Sequence, residues 1–383
     1  MEINGILQLI KLILPKSNMF FTNKYFYKKY LKSISHHTQL YFCPVCNMFK
    51  NKVKKCSVCE NNCEFFYYNP IKESLNDMFK MEGLKESILK NKEEIKSSRF
   101  ISGIFNSDSY QDLVRKFKIQ DGLNLSLTLC SDGISFYNLG RSIWPIFLSI
   151  NEIPITKRFE FQNILIPIIF FGKSLPSLEL ILQPLITELN NLFVGTIIQG
   201  EYVKCILNGC IYDLPAKAKF MFMKSYNGFQ SCCQCKDMGT YLNQQKKMIF
   251  PFDFKNEQQN NTPRNQLETE AVYQNIRSGL GGGNGILGIP PLNKIVYFNS
   301  MESCITDSMH CVFINISKMM MKLLFDSKCS TKSSYIHPIN QKSLSNILQR
   351  QRLPDSFLRK LGFVRFEIFC IFLFLILHNL FNT

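Results

Sequence analysis

Two pairs of cysteines near the amino terminus have the spacing of a metal site. Cys43 and Cys46 form one CxxC pair, and Cys56 and Cys59 form a second pair nine residues later. Each pair can turn on a short knuckle, and four thiolates close the tetrahedral coordination that Zn²⁺ adopts in structural sites. The spacing therefore predicts a zinc ribbon over residues 41–66 rather than four unrelated buried cysteines.

Other residues of this segment leave two questions open. Cys63, His36 and His37 could replace or accompany the four ligands. Lysines and aromatic residues flank the cysteines, a composition that suits contact with nucleic acid as well as an ordinary solvated surface. These flanking residues are Lys50, Lys52, Lys54, Lys55, Tyr41, Phe42, Phe65 and Phe66.

A third CxxC pair, Cys232 and Cys235, lies near the middle of the chain. A lone pair is also typical of redox sites, but the strand and helix that accompany such sites are not evident in this stretch. A second zinc site needs two more ligands, and His310 is the best candidate, with Cys304 and Cys311 beside it. The alternative is that His310 is an ordinary core or surface residue.

Two aspartates, Asp132 and Asp213, each end a segment with the apolar pattern of a β-strand. The first strand is predicted over residues 123–133 and the fourth over residues 202–215. Taken singly, each aspartate is also a common turn residue. Between them we predict strands over residues 142–153 and 161–172, the latter buried on both faces, and a helix over residues 175–193 with a kink at Pro184.

This order of elements predicts an α/β fold with a ribonuclease-H-like core. Three antiparallel strands and a crossover helix allow the fourth strand to lie parallel beside the first. Asp132 and Asp213 would then be neighbours at one edge of the sheet. Two close carboxylates repel unless divalent cations share them, and oxygen ligands suit Mg²⁺ or Mn²⁺. Such a site activates a water or a 3′-hydroxyl against a phosphodiester.

The composition restricts the compartment and the partners. The chain has 383 residues, 15 cysteines, 5 histidines and a formal net charge of +16. Its apolar content of 46% is too high for a disordered chain, and its length is too great for a small disulfide-rich secreted domain. We interpret the amino terminus as a basic helix rather than a signal peptide. A reducing compartment and a polyanionic partner, for which nucleic acid is the best candidate, follow from these features.

Two further acidic residues adjoin apolar segments. Glu367 opens the apolar run 368–377, which has ten residues where a membrane span needs about 20, so we expect a buried element and no membrane partner. A carboxylate beside such a run requires a metal or a cationic partner. Asp307 precedes a predicted helix that extends to Phe325, and capping this helix is its simplest role.

Taken in order, the motifs resemble those of transposases from CACTA-type DNA transposons, in the form found in animal genomes. The resemblance covers about residues 1–380. The amino-terminal zinc ribbon also fits this family. The matching stretches are Ser131-Asp132-Gly133-Ile134, Ser142-Ile143-Trp144-Pro145, Ile150-Asn151-Glu152-Ile153-Pro154, Phe171-Gly172-Lys173, Asp213-Leu214-Pro215-Ala216-Lys217, Asn227-Gly228 before Cys232 and Cys235, and Asp307-Ser308-Met309-His310 before Val312.

The resemblance implies a DDE/D transposase, which cuts transposon ends and joins the 3′-hydroxyl to target DNA with Mg²⁺. Asp132 is then the first catalytic carboxylate and Asp213 the second. Glu367 is favoured as the third, with Asp307 as the competing choice, because the last carboxylate of this fold sits on its carboxyl-terminal helix.

The resemblance also implies a zinc site in an insertion over about residues 216–320. Its ligands include Cys232, Cys235 and His310. Transposases of this kind act in the nucleus on terminal repeats and target DNA, and we expect a homo-oligomer in the complete protein. The predicted regions are 1–40, basic and helical, 41–66, the zinc ribbon, 67–122, a helical linker, and 123–383, the catalytic core with an incomplete carboxyl terminus.

Three functions are compatible with this sequence. The first is an active transposase fragment, and the second is an inactive or co-opted remnant that binds DNA through its zinc ribbon. The third is a zinc-stabilised scaffold for protein interactions. Family members continue well beyond Glu367, which favours a fragment whose activity is in question.

Overall fold

The computed structural model describes most of the chain between residues 36 and 340. Contacts divide the chain into two units, residues 1–305 and 306–383. Glu367 and the apolar run 368–377 lie outside the described residues, as does the predicted basic helix up to residue 35. The described ranges are 36–97, 103–136, 140–173, 175–251, 262–331, 334–337 and residue 340.

Thirteen strands are found in the described part of the chain, and nine of them form one mixed sheet. From one edge the order is β13, β10, β4, β6, β7, β3, β1, β2, with β5 paired to β6. The strands are β1 (Thr38–Cys43), β2 (Met48–Lys50), β3 (Glu64–Tyr68), β4 (Leu125–Ser131), β5 (Ile134–Phe136), β6 (Arg141–Ile150), β7 (Ile164–Gly172), β8 (Thr196–Ile198), β9 (Glu201–Val203), β10 (Cys205–Tyr212), β11 (Thr240–Leu242), β12 (Lys247–Ile249) and β13 (Cys304–Thr306).

Helices of the first unit cover this sheet, and short 3₁₀ turns join several of them. The α-helices are α1 (Ile71–Met78), α2 (Leu84–Ser97), α3 (Asp108–Phe117), α4 (Ile155–Arg158), α5 (Leu178–Ile181), α6 (Gln183–Val194), α7 (Leu214–Phe220), α8 (Gln266–Arg277) and α9 (Ser300–Ser303). The 3₁₀ turns in this unit are Gly103–Asn106, Phe161–Asn163 and Pro291–Lys294.

The predicted order of the central strands is confirmed. β4 pairs antiparallel with β6, and β6 pairs antiparallel with β7. The chain then crosses over through α5 and α6 and returns as β10, which pairs parallel with β4. This return places the fourth strand beside the first, as the pattern of the sequence indicated.

Apolar side chains on the two faces of the sheet pack against different helices. Leu127 on β4 and Leu207 on β10 belong to a large core that includes Leu185 and Leu189 of α6. Ile206, the residue before Leu207 on β10, belongs instead to a smaller cluster with Tyr110 of α3. Because successive strand residues point to opposite faces, this alternation places helices on both sides of the central strands.

The ribbon strands extend the same sheet. β3 pairs antiparallel with β7, and Phe66 lies opposite Phe170. Phe42 and Phe66 have no exposed surface and join the main core. The cysteine-rich segment is therefore built onto the edge of the central sheet through a shared core.

Several local predictions differ from the structure. The helix predicted over 175–193 is two helices, α5 and α6, because Pro184 lies in the first turn of the second, where it is well tolerated. The strand predicted over 202–215 is divided at Lys204 into β9 and β10. β7 is not buried on both faces, since Phe171 is 42% exposed.

The polar, Asn- and Gln-rich sequence of residues 243–285 is typical of a surface excursion, yet the described part of this segment contributes to the core. It contains α8, which Asn265 caps by accepting a hydrogen bond from the backbone N–H of Glu268. Tyr273 on this helix is 4% exposed and belongs to the main core. The high content of Asn and Gln therefore obscured a helix that is mostly exposed but buries Thr269 and Tyr273.

The second unit contains the helix predicted after Asp307. It consists of a π-helix, Met309–Ser317, followed by α10 (Lys318–Phe325) and a 3₁₀ turn, Ser327–Cys329. Ser308 occupies the cap position without a side-chain bond. The helical run begins directly after Asp307, whose carbonyl accepts from the N–H of Cys311 at 3.0 Å and whose carboxylate contacts Nδ1 of His310, so the capping role of its side chain stays a prediction.

None of the described helices combines the length and the apolar character that crossing a membrane requires.

Candidate functional site

The two CxxC pairs of the ribbon form similar turns. The N–H of Asn47 donates to the carbonyl of Cys43 at 2.9 Å, and the N–H of Glu60 donates to the carbonyl of Cys56 at the same distance. Asn47 and Glu60 have φ values of 53° and 56°, in the left-handed region. Each turn therefore reverses the chain just after the second cysteine of its pair and brings both thiols to one side.

The four thiols meet between these turns. The sulfurs of Cys43 and Cys59 are 3.4 Å apart, and those of Cys46 and Cys56 are 3.8 Å apart. All four lie within 4.8 Å of one another. A tetrahedron with Zn–S bonds of about 2.3 Å has edges of about 3.8 Å, whereas a disulfide has an S–S bond of about 2.05 Å. The four predicted cysteines can therefore hold a metal ion such as zinc.

Donors near the sulfurs favour thiolate formation at two positions, Cys56 and Cys59, and hydrogen bonds from the side chain and backbone of Asn61 lower the pKa of Cys59. The N–H groups of Val58 and Cys59 point at Cys56 and lower its pKa to about 6. The pKa of Cys46 is instead raised to about 12, chiefly by its hydrogen bond with Cys59. Four adjacent thiols cannot all ionise without a cation between them, so a bound metal completes the electrostatics of the site.

The alternative ligands of this segment have other neighbours. His36 pairs with Asp77 at 3.0 Å, and the ring of His37 lies edge-on to Tyr67 with centroids 5.2 Å apart. Cys63 is outside the group of four, and burial raises its pKa. The structure thus selects the two CxxC pairs.

The third CxxC pair adopts a turn that also directs N–H groups at sulfur. Cys232 Sγ accepts hydrogen bonds from the N–H groups of Gln234 and Cys235, both at 3.4 Å. The guanidinium of Arg264 donates to the carbonyls of Gln230 and Cys232 and fixes the turn from outside. The pair is therefore preformed.

Of the predicted second zinc site, the described part of the first unit brings together only Cys232 and Cys235. No other described group of three or more ligand side chains comes together besides the ribbon cysteines. Cys304 is buried on β13, where its thiol meets Cys210. His310 belongs to the second unit and contacts Asp307, and Cys311 is half-buried on the same π-helix. A zinc site that combines Cys232, Cys235 and His310 stays a prediction.

The two predicted aspartates lie at matching positions on neighbouring strands. Ile211 of β10 lies opposite Cys130 of β4, and each aspartate follows two residues later. The strands are parallel, so Asp132 and Asp213 both lie just beyond the carboxyl-terminal ends of neighbouring strands, which are about 4.8 Å apart. Asp132 is exposed and Asp213 is half-buried.

Contacts between β4 and β6 fix the backbone on both sides of Asp132. The hydroxyl of Ser131 donates to the carbonyl of Pro145 at 2.8 Å. On the other side, Gly133 lies so close to the indole of Trp144 that a Cβ there would overlap the ring. The Nζ of Lys219 lies 4.4 Å from the centroid of the same ring. One tryptophan therefore connects the turn of Asp132 to helix α7.

Asp213 begins that helix. Its Oδ1 accepts a hydrogen bond from the N–H of Ala216 at 2.7 Å, and its carbonyl accepts from the N–H of Lys217 at 2.8 Å. Pro215 in the first turn suits this position because proline has no N–H to leave unpaired. The cap uses one carboxylate oxygen and holds the group at the edge of the sheet.

The third acidic position is not located by the structure. Glu367 lies outside the described residues, and Asp307 lies in the second unit with its carboxylate against His310. The structure therefore brings together two of the four proposed catalytic carboxylates and leaves the choice of a third open.

A buried polar group for which no role is predicted from the sequence lies at the other end of β4. Glu152 has no exposed surface and accepts hydrogen bonds from the N–H and hydroxyl of Ser126 and from the hydroxyl of Tyr110. Its signal was a charged residue at the end of an apolar strand. Its hydrogen-bond partners could not be predicted from the sequence, because Tyr110 is 42 residues away and Ser126 is an ordinary strand residue.

A family model described as a protein of unknown function (DUF1258) matches residues 25–258, more than half of the chain. The matched range contains the four ribbon cysteines, both aspartates and the third CxxC pair. No curated protein matches the sequence.

Proposed function

The chain belongs to the DUF1258 family of proteins of unknown function, and from its own residues we propose that it is a DNA transposase of the DDE/D type. The observation that carries this proposal is the position of Asp132 and Asp213 at the carboxyl ends of neighbouring parallel strands. The ordered motifs that resemble CACTA-type transposases give the same assignment.

The strand order supports a ribonuclease-H-like core. Three antiparallel strands, β4, β6 and β7, precede a helical crossover, and β10 returns parallel to β4. Since ligand sites of open α/β sheets lie beyond the carboxyl ends of the strands, this edge is the expected place for catalytic groups. The charge excess of +16 suits a DNA substrate and a nuclear location.

The proposed chemistry is cleavage of a phosphodiester at the transposon end, followed by strand transfer. Water attacks phosphorus, the bond to the 3′-oxygen breaks, and the 3′-hydroxyl is released for attack on target DNA. When bound, Mg²⁺ or Mn²⁺ would supply Lewis acid chemistry for this step. Asp132 and Asp213 would hold the cation, and the cap of α7 fixes the direction of Asp213. Glu367 or Asp307 is the proposed third carboxylate.

The test is nicking of supercoiled plasmid DNA by the full chain in Mg²⁺ or Mn²⁺. We expect nicking to be lost in the Asp132→Asn and Asp213→Asn proteins, because a neutral amide cannot hold the cation. Asp121→Asn is the matched control, since Asp121 is exposed in the loop that leads into the other end of β4. Nicking that persists in both site variants would contradict the proposal.

Metal analysis tests the zinc sites in the same preparations. The ribbon predicts one tightly bound zinc per chain that is lost in the Cys56→Ser protein. A second zinc that is lost in Cys232→Ser and His310→Ala would support the proposed second site. The aspartate variants should retain all their zinc, because their carboxylates are not ribbon ligands.

One observation favours a second candidate, a DNA-binding protein without catalysis. Asp213 already has a structural role as the cap of α7, which it can fill without any metal. This candidate predicts zinc-dependent, salt-sensitive DNA binding and no nicking in either cation. Absence of DNA binding, or binding that ignores salt, would favour the scaffold instead.

A further inference from the structure

One face of the extended sheet carries a row of apolar side chains in register across the strands. Tyr41 on β1 lies opposite both Lys50 on β2 and Phe65 on β3. Phe65 in turn faces Phe171 of β7, one residue beyond the pair Phe66–Phe170. The row continues through Ile143 of β6, opposite Phe171, to Ile134 of β5, opposite Ile143.

This row lies on the outer face of the sheet. Phe65, Phe171 and Ile134 are 38%, 42% and 54% exposed. Their neighbours Phe66 and Phe170 point to the other face and have no exposed surface. The alternation is that of a strand with one buried and one open face, except that the open face is aromatic where polar residues are usual.

The rings of the outer face touch one another. Tyr41 and Phe65 have centroids 5.5 Å apart, and Phe65 and Tyr67 lie edge-to-face at 5.5 Å. At the far side, the guanidinium of Arg141 lies 5.4 Å from the centroid of Phe171. The face therefore offers a run of aromatic surface with a cation next to it.

A cleft of about 590 Å³ opens beside Tyr41. It has room for a nucleotide, and two lysines, Lys50 and Lys52, provide its charge. Its walls are formed by His37, Gln39, Leu40, Tyr41, Phe49, Lys50, Asn51 and Lys52.

We propose that this outer face binds single-stranded DNA. Unpaired bases stack on Tyr41 and Phe65, and the phosphates between them contact Lys50, Lys52 and Arg141. Duplex DNA hides its base faces in its own stack, so it cannot use the rings in this way. The lysines and arginine beside the rings give the charge complementarity that favours a nucleic acid over an apolar protein segment. Only the choice of DNA rests on the proposed function.

The experiment compares binding of labelled oligothymidylate and of a duplex of equal length to the full chain by fluorescence anisotropy. We expect the wild-type protein to prefer the single strand. The Tyr41→Ala, Phe65→Ala double variant should bind it at least about tenfold more weakly, because it loses two rings on which bases stack. Lys50→Glu should weaken binding and reduce its salt dependence.

Two controls separate loss of stacking from loss of structure. Phe161→Ala removes a phenylalanine that is 81% exposed outside the sheet and should leave binding unchanged. Phe65→Tyr keeps the ring and should retain affinity. Zinc content equal to wild type in every variant shows that the ribbon is folded.

The outcome distinguishes this proposal from the catalytic one. Plasmid nicking and binding of the single strand are measured in separate assays, so either can be lost while the other is retained. Unchanged affinity in the double variant, an equal loss for single strand and duplex, or no binding of oligothymidylate by the wild-type protein overturns the single-strand proposal and leaves the aspartates untested.

Discussion

Strand β4 has a carboxylate near each end, and the two have opposite surroundings. At the amino end, Glu152 is completely buried and accepts hydrogen bonds from Ser126 and Tyr110. Beyond the carboxyl end, Asp132 is exposed, and Asp213 on the next strand uses one oxygen for a helix cap. The first environment is filled with protein donors, and the second holds the two carboxylates that we propose as cation ligands.

The polar groups near Glu152 at the amino end of β4 are also hydrogen-bonded within the protein. Asn151 accepts a hydrogen bond from the Thr128 hydroxyl at 2.9 Å and donates to the Ser126 hydroxyl at 3.0 Å. The buried ammonium of Lys92 donates to three backbone carbonyls, those of Ile119, Gly122 and Asn124. Buried polar groups are tolerated when they are paired in this way.

The two ends therefore contrast a structural carboxylate with a pair whose functional role is proposed. A charge that is surrounded by fixed donors holds elements together and has no capacity left for a ligand. A pair of carboxylates at a strand edge with few donors keeps that capacity and needs a cation to relieve its repulsion. The predictions below test whether the two ends of β4 differ in this sense.

Glu152→Ala should give the largest effect, a loss of about 3–5 kcal/mol in the free energy of unfolding. The substitution leaves the Ser126 N–H and the Tyr110 hydroxyl without an acceptor in a dry site and opens a cavity. Urea denaturation followed by circular dichroism measures the change. Glu152→Gln retains a carbonyl oxygen and most of the volume, so its loss should be smaller. A loss below about 1 kcal/mol in the alanine protein would remove the structural role assigned to this end.

Lys92→Met should cost about 2–4 kcal/mol, because three buried carbonyls lose their donor. The effect should also depend on pH. Burial lowers the pKa of Lys92 to about 8 from its ordinary value of 10.5. Between these values the unfolded chain binds a proton that the folded chain does not, so the stability that this group contributes rises with pH.

The free energy of unfolding of the wild-type protein should therefore rise relative to that of the Lys92→Met protein by up to about 3 kcal/mol between pH 8 and 10.5. Below pH 8 the difference between the two proteins should be constant. Other groups that titrate in this range are present in both proteins and cancel. Denaturation curves at several pH values measure the difference. If the stability difference between the wild-type and Lys92→Met proteins instead shifts against the wild-type protein as pH rises, the surroundings of Lys92 stabilise its charged form rather than destabilise it.

The pattern of the sequence predicted the central sheet well, for a clear physical reason. Leu125, Leu127 and Leu129 alternate with small polar residues, which is the period of a strand with a buried face. The ribbon was predicted because its ligand spacing is local and demanding. The matching edge of Asp132 and Asp213 followed once the strand order was known.

The remaining features depend on contacts that spacing does not encode. Glu152 is buried because Tyr110, 42 residues earlier, reaches it. Phe171 looks like a core residue in an apolar run, yet its face of β7 is open. The role of Gly133 depends on Trp144, which packs against it from the neighbouring strand.

Gly133→Ala should have an intermediate effect, about 1–3 kcal/mol, because a methyl group at this position overlaps the Trp144 indole. The ring must move, and its contact with Lys219 on α7 should weaken with it. Trp144 is the single tryptophan of the chain, so its fluorescence reports the displacement directly. Unchanged emission and stability would show that this packing does not fix the turn of Asp132.

The smallest effects should distinguish the two aspartates. Asp213→Ala removes the cap of α7 and should cost about 1 kcal/mol, whereas Asp213→Asn keeps a capping oxygen and should cost less. Asp132→Ala removes an exposed side chain and should stay within about 0.5 kcal/mol of wild type. Thermal unfolding with and without Mg²⁺ measures all three. If Mg²⁺ stabilises the wild-type protein and none of these variants, both carboxylates bind the cation. Because Asp213→Asn keeps a capping oxygen, loss of the Mg²⁺ effect in this variant shows that the effect does not come from the cap. If Mg²⁺ stabilises the variants equally, the carboxyl end of β4 is as structural as the amino end, and the contrast between them disappears.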